Sequence, residues 1–211
     1  MMSQLKQNGS DLDVIIAMAN ALSDRGDTLE DLIVSGEFSG DYVNNRVKHI
    51  GFGRFGECDI TSCTFLNATS ASERAFFNCS SLITVNVPKL KAISGYMFYN
   101  CDALSSVCLP EVVTIGSYGF YSCGKLSTVD LPNATMLNAA SLAQCIALEK
   151  LILRSSTVVT LGAITALQAT KIASGKGYVY VPNNLVEDYK TATNWTTYAN
   201  WIRSIDELEE A

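Results

Sequence analysis

Five of the seven cysteines in this 211-residue chain keep a near-constant interval: Cys58, Cys79, Cys101, Cys123 and Cys145 stand 21, 22, 22 and 22 residues apart. Self-similarity at a period of roughly 20 to 50 residues marks stacked supersecondary units, because one such unit cannot bury its apolar face alone. The interval therefore predicts an array of coils rather than a single globular core.

Between the cysteines the apolar positions also recur. Leu82, Val85, Val87, Pro88, Leu90, Ile93 and Phe98 follow Cys79; Leu104, Val107, Leu109, Pro110, Ile115 and Phe120 take the same places after Cys101, and Leu126, Val129, Leu131, Pro132, Leu137 and Leu142 do so after Cys123. Alternation through Val107-Cys108-Leu109 and Val129-Asp130-Leu131 is the period-2 signature of a brief strand with one buried face. Pro88, Pro110 and Pro132 cannot donate to a ladder and so end each strand. The five cysteines imply four steps of roughly 4.8 Å, a stack on the order of 20 Å long. A half-coil, Ile50 to Cys58, precedes the first full repeat, and after Cys145 the pattern drifts, with Arg154 in place of the proline.

The boundaries expected are an N-terminal helical cap over 1–42, a solenoid over 43–177 and a C-terminal strand and helical cap over 178–211. Ser10 and Asp13 form a capping box before a stripe of Leu12, Ile15, Ile16, Ala19 and Leu22 that stops at Gly26. Tyr178 to Pro182 reads as a strand. A helix from Asn184 and a second around 198–205 follow, with Trp195 and Trp201 sealing the last coil.

Cys at the first position, Leu at +3, Val at +6, Leu at +8, Pro at +9, Ile near +14 and Phe near +19 together resemble the BspA-like leucine-rich repeat family, in its surface or prophage-encoded form. The resemblance covers roughly 43–177, and the ending from Tyr178 to Ile202 is similar to that of gut bacterial and prophage members. It implies an α/β repeat: a right-handed leucine-rich-repeat solenoid with short parallel strands, about 22 residues per coil, capped by helical segments at both ends. It implies adhesion or protein recognition at a cell surface or virion, with no catalytic residues to carry over. No secretory signal is expected in the first 25 residues, in contrast to exported members.

Composition narrows the partners. A net charge of −6 without any basic run excludes broad contact with nucleic-acid phosphates. No apolar run nears the roughly 18 residues of a membrane span, so no membrane insertion is expected. A protein or a glycan partner remains, and the sequence leaves cellular location and oligomeric state open.

Each chemical motif has a structural explanation. Zinc needs ligands converging on one point, whereas the ruler cysteines fall one per coil, so they are expected as a buried, reduced packing column. Stacking at roughly 4.8 Å also exceeds the Cβ separation of roughly 3.5 to 4.5 Å that a disulfide requires. Replacing Cys101 or Cys123 by Ser is expected to cost about 1 to 3 kcal/mol through an unpaired buried hydroxyl. Cys63 and Cys108 lie off the ruler, and Cys108 is expected to face outward as the most reactive thiol. Gly51, Gly53 and Gly56 spell a dinucleotide fingerprint without its βαβ context. Arg25-Gly26-Asp27 fits a helix stop. The sole histidine, His49, is the one residue through which a Ser-His-Asp or Cys-His mechanism would have to pass. Asp206, Glu207, Glu209 and Glu210 read as a solvated tail.

The function expected is therefore a non-enzymatic recognition or adhesion module, with no cofactor and no metal. Thr84, Asn86, Ser106, Cys108, Thr128, Asp130, Lys150 and Ile152 line up in columns on the outward strand face as the candidate partner-binding surface. The alternatives are an intracellular interaction scaffold and, more remotely, a hydrolase centred on Asp130 or a thiol.

Overall fold

The computed structural model describes residues 39–208. The expected N-terminal helix and the Arg25-Gly26-Asp27 tripeptide lie outside them, as do Glu209 and Glu210. Each coil contributes two short strands. β1 (Gly40–Val43) is followed by β2 (His49–Ile50), β3 (Ile60–Thr64) by β4 (Ser70–Ala71), β5 (Thr84–Asn86) by β6 (Ala92–Ile93) and β7 (Ser106–Cys108) by β8 (Thr114–Ile115). β9 (Thr128–Leu131) and β10 (Met136–Leu137) come next, then β11 (Lys150–Leu153) and β12 (Thr160–Leu161), and finally β13 (Tyr178–Val181) and β14 (Ile202–Ser204).

All pairings are parallel. The first strands of the coils stack in the order β1-β3-β5-β7 and again as β9-β11-β13-β14, and the second strands as β6-β8-β10-β12 beside a β2-β4 pair. Partners such as Val85 and Val107, or Val129 and Leu151, stand 22 positions apart. The first-strand face is thus two sheets rather than one, broken between β7 and β9. Val107, at the break, is only half-buried, while Val85 and Val129 on either side are buried.

The turn before each ruler cysteine explains the repeat. Glu57, Asn78, Asn100, Ser122 and Gln144 immediately precede the five cysteines, and all are left-handed, with φ of 62°, 59°, 57°, 61° and 62°. Asn tolerates that region best among non-glycine residues, and Asn78 and Asn100 bond each other side chain to side chain at 3.1 Å. Gly116 serves a different need: a Cβ there would lie 2.8 Å from Gly95 N and 2.9 Å from Ile93 O, so the adjoining coil leaves no room for a side chain.

Four phenylalanines, Phe55, Phe76, Phe98 and Phe120, stack through the core at 5.3, 5.2 and 5.1 Å with planes within 11°. The cysteines three residues later tie this ladder together. Each of Cys79, Cys101 and Cys123 donates its N–H to the phenylalanine carbonyl three residues back in its own coil. Its thiol donates to the equivalent carbonyl one coil earlier, and Cys145 extends the series: Cys79 to Phe55 at 2.7 Å, Cys101 to Phe76 at 3.1 Å, Cys123 to Phe98 at 3.2 Å and Cys145 to Phe120 at 3.0 Å. This revises the expected cost of serine in the column. A hydroxyl at Cys101 or Cys123 meets a carbonyl acceptor rather than going unpaired, so its cost falls on the lost volume of the sulfur.

Ser141 shows the opposite situation. It occupies the place held by Ala75, Met97 and Gly119 in earlier coils, is fully buried, and its hydroxyl has no hydrogen-bond partner. Ser141→Ala removes an unsatisfied buried polar group and is expected to raise stability by about 1 kcal/mol. Urea denaturation measures this directly, as a higher midpoint at unchanged slope.

The chain closes on itself after β12. A 3-10 turn, Asn183–Leu185, leads into α1 (Val186–Thr191), and a second 3-10 turn covers Trp195–Trp201. The helix expected around 198–205 is not formed: β14 takes Ile202–Ser204 and pairs with β13, because Ile202 and Ser204 are buried against it in a period-2 pattern. Trp195 is fully buried, whereas Trp201 is half-buried over Gly175. The closing segment satisfies the backbone of the last coil with side chains. Trp195 Nε1 donates to Val159 O at 2.7 Å, Asn194 Nδ2 to Leu161 O at 2.6 Å and the Tyr198 hydroxyl to Ile164 O, while the Val159 N–H donates to the Tyr189 hydroxyl at 2.9 Å.

Candidate partner-binding face

On the first-strand face the outward positions fall into register. Ser62, Thr84 and Ser106 form one column and Thr64, Asn86 and Cys108 the next. Across the break, Thr128, Lys150 and Tyr178 form the continuation of the first, and Asp130, Ile152, Tyr180 and Arg203 that of the second. Thr84, Ser106, Cys108, Thr128 and Asp130 are exposed, and Asn86 and Lys150 half-buried. Ile152 departs from the expected exposed surface: it is only 6% exposed, in register with Tyr180, itself 9% exposed.

The two halves differ in chemistry. The β3-β5-β7 half is small, neutral and polar, with the Asp41 carboxylate at one edge accepting from Ser62 Oγ at 2.6 Å and Thr61 Oγ1 at 3.2 Å. The β9-β11-β13-β14 half is charged and aromatic. Arg154 grips Asp130 with Nε at 3.1 and 3.2 Å and Nη2 at 3.0 Å, Arg203 lies 4.7 Å from the Tyr178 ring centre, and Lys171 holds Glu149 at 2.9 Å. That lysine's hydrogen bond, with its charge, lowers the Glu149 carboxyl below its usual range. Glu207 accepts from Ser204 N at 3.2 Å, so this part of the acidic end is tied to the fold.

The residues considered for chemistry are separated or engaged. The ruler cysteines and Cys63 are buried, all seven thiols are free, and Cys108 is the exposed one. Burial pushes the Cys58 thiol up to about 12, with Cys79 adding to the effect, and burial likewise raises Cys63, Cys101 and Cys123. These are protonated thiols, not nucleophiles or metal ligands. Among the described residues no group of three or more His, Cys, Asp or Glu side chains is arranged to hold a metal ion. His49 bridges Ser70 Oγ at 2.8 Å and Ser72 Oγ at 3.0 Å, which engages both ring nitrogens with hydroxyls. Asp130 is spoken for by Arg154. Gly51, Gly53 and Gly56 lie in a repeating turn, with Gly53 at φ +55° where later coils carry Arg74 and Tyr96, and no helix follows as a phosphate site would need.

The profile of the BspA type leucine rich repeat region matches residues 44–165 in 6 copies. The chain belongs to the BspA-type leucine-rich repeat family. Two solved structures share its fold. A leucine-rich repeat protein from Bacteroides ovatus is 23% identical at a TM-score of 0.59, covering 79% of this chain and 42% of its own. The T. pallidum leucine rich repeat protein is 19% identical at 0.52, covering 64% of this chain and 62% of its own. The repeat chain thus spans roughly half the length of these relatives. No curated protein matches the sequence. The matched family is a repeat architecture, in keeping with an interaction module, and no helix among the described residues is long and apolar enough to cross a membrane.

The 22-residue spacing also builds two aromatic columns away from the strand faces. On the turn side, Tyr96 stacks on Tyr118, and Phe77 on Tyr99 on Tyr121.

Proposed function

We propose that this BspA-type repeat protein is a non-enzymatic recognition module that binds a protein partner across its first-strand face, with the solenoid of residues 43–177 as the recognition unit, in an adhesive role at a cell surface or virion. The observation that carries this reading is the outward column set on β3, β5 and β7. Ser62, Thr84, Ser106, Thr64, Asn86 and Cys108 present hydroxyls, an amide and a thiol at regular register, which is the extended, adaptable surface that stacked repeats offer to partners. Flanking Asp130–Arg154 and Arg203–Tyr178 pairs supply charge and aromatic contact at one end, the composition found at interface hot spots.

Cys108 gives the test a handle, being the exposed thiol at the centre of the face. A photoreactive label on Cys108 is expected to cross-link one protein from intact cells or purified particles of the source, and Thr84→Arg with Thr128→Arg is expected to abolish that product without unfolding the chain. Equal cross-linking by the double variant would contradict the assignment of the face. Recovery of the product from cytosolic lysate alone would favour the intracellular scaffold instead.

A further inference from the structure

On the turn side the repeat register places Gly53, Arg74, Tyr96, Tyr118 and Ala140 at equivalent positions, and Gly56, Phe77, Tyr99, Tyr121 and Ala143 at another set. Bulky side chains thus occupy three consecutive coils and give way to glycine on one side and alanine on the other. The fold does not demand rings here, since the flanking coils turn without them. The left-handed turn belongs to the repeat itself, with Arg74, Tyr96 and Tyr118 at φ of 58°, 55° and 59° and the ring-free Gly53 and Ala140 at 55° and 53°. Rings and a guanidinium that the turn does not require point instead to a role at the surface.

The strip has a defined chemistry. Tyr96 and Tyr118 stack at 4.9 Å, and Phe77, Tyr99 and Tyr121 at 5.2 and 5.0 Å, with planes within 12°. Between the columns the rings tilt, 45° for Tyr96 against Tyr99 and 54° for Tyr118 against Tyr121. All five rings are half-buried. Arg74 lies 5.6 Å from the Phe77 ring centre and 5.4 Å from that of Tyr96. Among the described residues no carboxylate pairs with Arg74 and no protein group bonds any of the four phenol oxygens.

We infer that this strip docks a proline-rich segment of a partner in the polyproline II conformation, with an acidic residue of that segment meeting Arg74. Stacking hides the ring faces from a sugar and leaves ring edges and aligned hydroxyls outward, which suits an extended peptide. A polyproline II chain has no internal hydrogen bonds, so its carbonyls are open to phenol donors, and aromatic-lined surfaces are its usual receptor. The periods agree: three residues of that helix advance about 9.3 Å, and two coils advance about 9.6 Å. One turn of the peptide therefore meets Phe77 and Tyr121 with the same face. The free guanidinium supplies the complementary charge at the strip's edge.

The test titrates the 15N-labelled protein with two synthetic decapeptides, one glutamate followed by nine prolines and one of ten prolines. Saturable shifts confined to the turns between 74 and 121 are expected, with dissociation constants on the order of 1 mM or below. Arg74→Gln is expected to weaken the glutamate peptide severalfold and leave decaproline unchanged. Tyr96→Ala with Tyr99→Ala, which copies the residues of the coil at Ala140 and Ala143, is expected to weaken both at least tenfold while the remaining amide spectrum confirms the fold. Tyr99→Phe with Tyr121→Phe removes only hydroxyls and is expected to weaken both severalfold. Thr84→Arg with Thr128→Arg, on the strand face, is expected to leave both unchanged, so this site stands or falls apart from that one. Absence of saturable shifts, or equal binding by the alanine variant, overturns the inference, as does a β-linked glucose hexasaccharide shifting these turns where neither peptide does.

Discussion

Raising the pH above 9 is expected to unfold this protein steeply. In the unfolded chain the thiols titrate near 9.0, whereas burial holds Cys58 to about 12 and keeps Cys63, Cys101 and Cys123 protonated as well. Above 9 the unfolded state binds fewer protons than the folded one, so the free energy of unfolding falls as pH rises. The contribution is fully present below 9 and is lost progressively toward 12. Each thiol held protonated removes about 1.4 kcal/mol per pH unit in that window. Cys79 runs the other way, lowered by a side-chain hydrogen bond with Cys101, and its contribution is complete by pH 9, so it does not change the slope above that pH. Tyr189, raised by burial from 10.0 to about 12, adds to the loss once its unfolded form ionises. Two pH units above 9 therefore remove free energy of the same order as a total stability of about 5 to 15 kcal/mol. Thermal melts at pH 8, 9, 10 and 11 measure the slope, and Cys101→Ala with Cys123→Ala is expected to flatten it while lowering stability at pH 8. A melting temperature that stays level from pH 8 to 11 would mean the column is ionised or exposed.

Trp195→Ala is expected to cost about 3 to 5 kcal/mol, the range for deleting a buried aromatic. Trp195 is packed edge-on against Tyr189 at 5.2 Å and Tyr198 at 6.5 Å, and its indole N–H satisfies Val159 O at the last coil. The β12 edge has no further coil to pair with, so it depends on these side chains for its hydrogen bonds. Trp195→Phe keeps most of the apolar area and strands one carbonyl, at a cost of about 1 to 3 kcal/mol. Hydrogen exchange localises the effect: faster exchange is expected at residues 158–161 and in β13, with the phenylalanine ladder unchanged. Uniformly faster exchange across all coils would show that the array has no separable end.

The repeat was legible because its signals are periodic. Cysteine, leucine and proline at fixed offsets follow from the close packing of stacked coils, and the F-x-x-C interval carries a chain of thiol and amide bonds to shared carbonyls. The features that escaped the sequence are those set between coils or by local cover. The break between β7 and β9 has no counterpart in the residue pattern, since Ser106 to Cys108 resembles Thr84 to Asn86. Ile152 obeys the outward alternation and is nonetheless covered, because its neighbour one coil later is Tyr180 rather than a small polar residue. Ile202–Ser204 carries a helical-looking apolar spacing with Tyr198, and pairing with β13 overrides it. The tyrosine columns were present in the spacing of Tyr96 with Tyr118 and Tyr99 with Tyr121, yet alternation within strands directs attention to the other face. The two residues singled out for chemistry are held by neighbours that the sequence spacing does not reveal, His49 by the Ser70 and Ser72 hydroxyls and Asp130 by Arg154.

Counting reactive thiols tests most directly the claim that the cysteine ruler is a packing device rather than a chemical site. Ellman's reagent is expected to titrate one thiol per chain rapidly in the native protein, that of Cys108, and all seven in denaturant without reductant. Rapid native labelling of any ruler cysteine, or fewer than seven thiols after denaturation, would contradict the account.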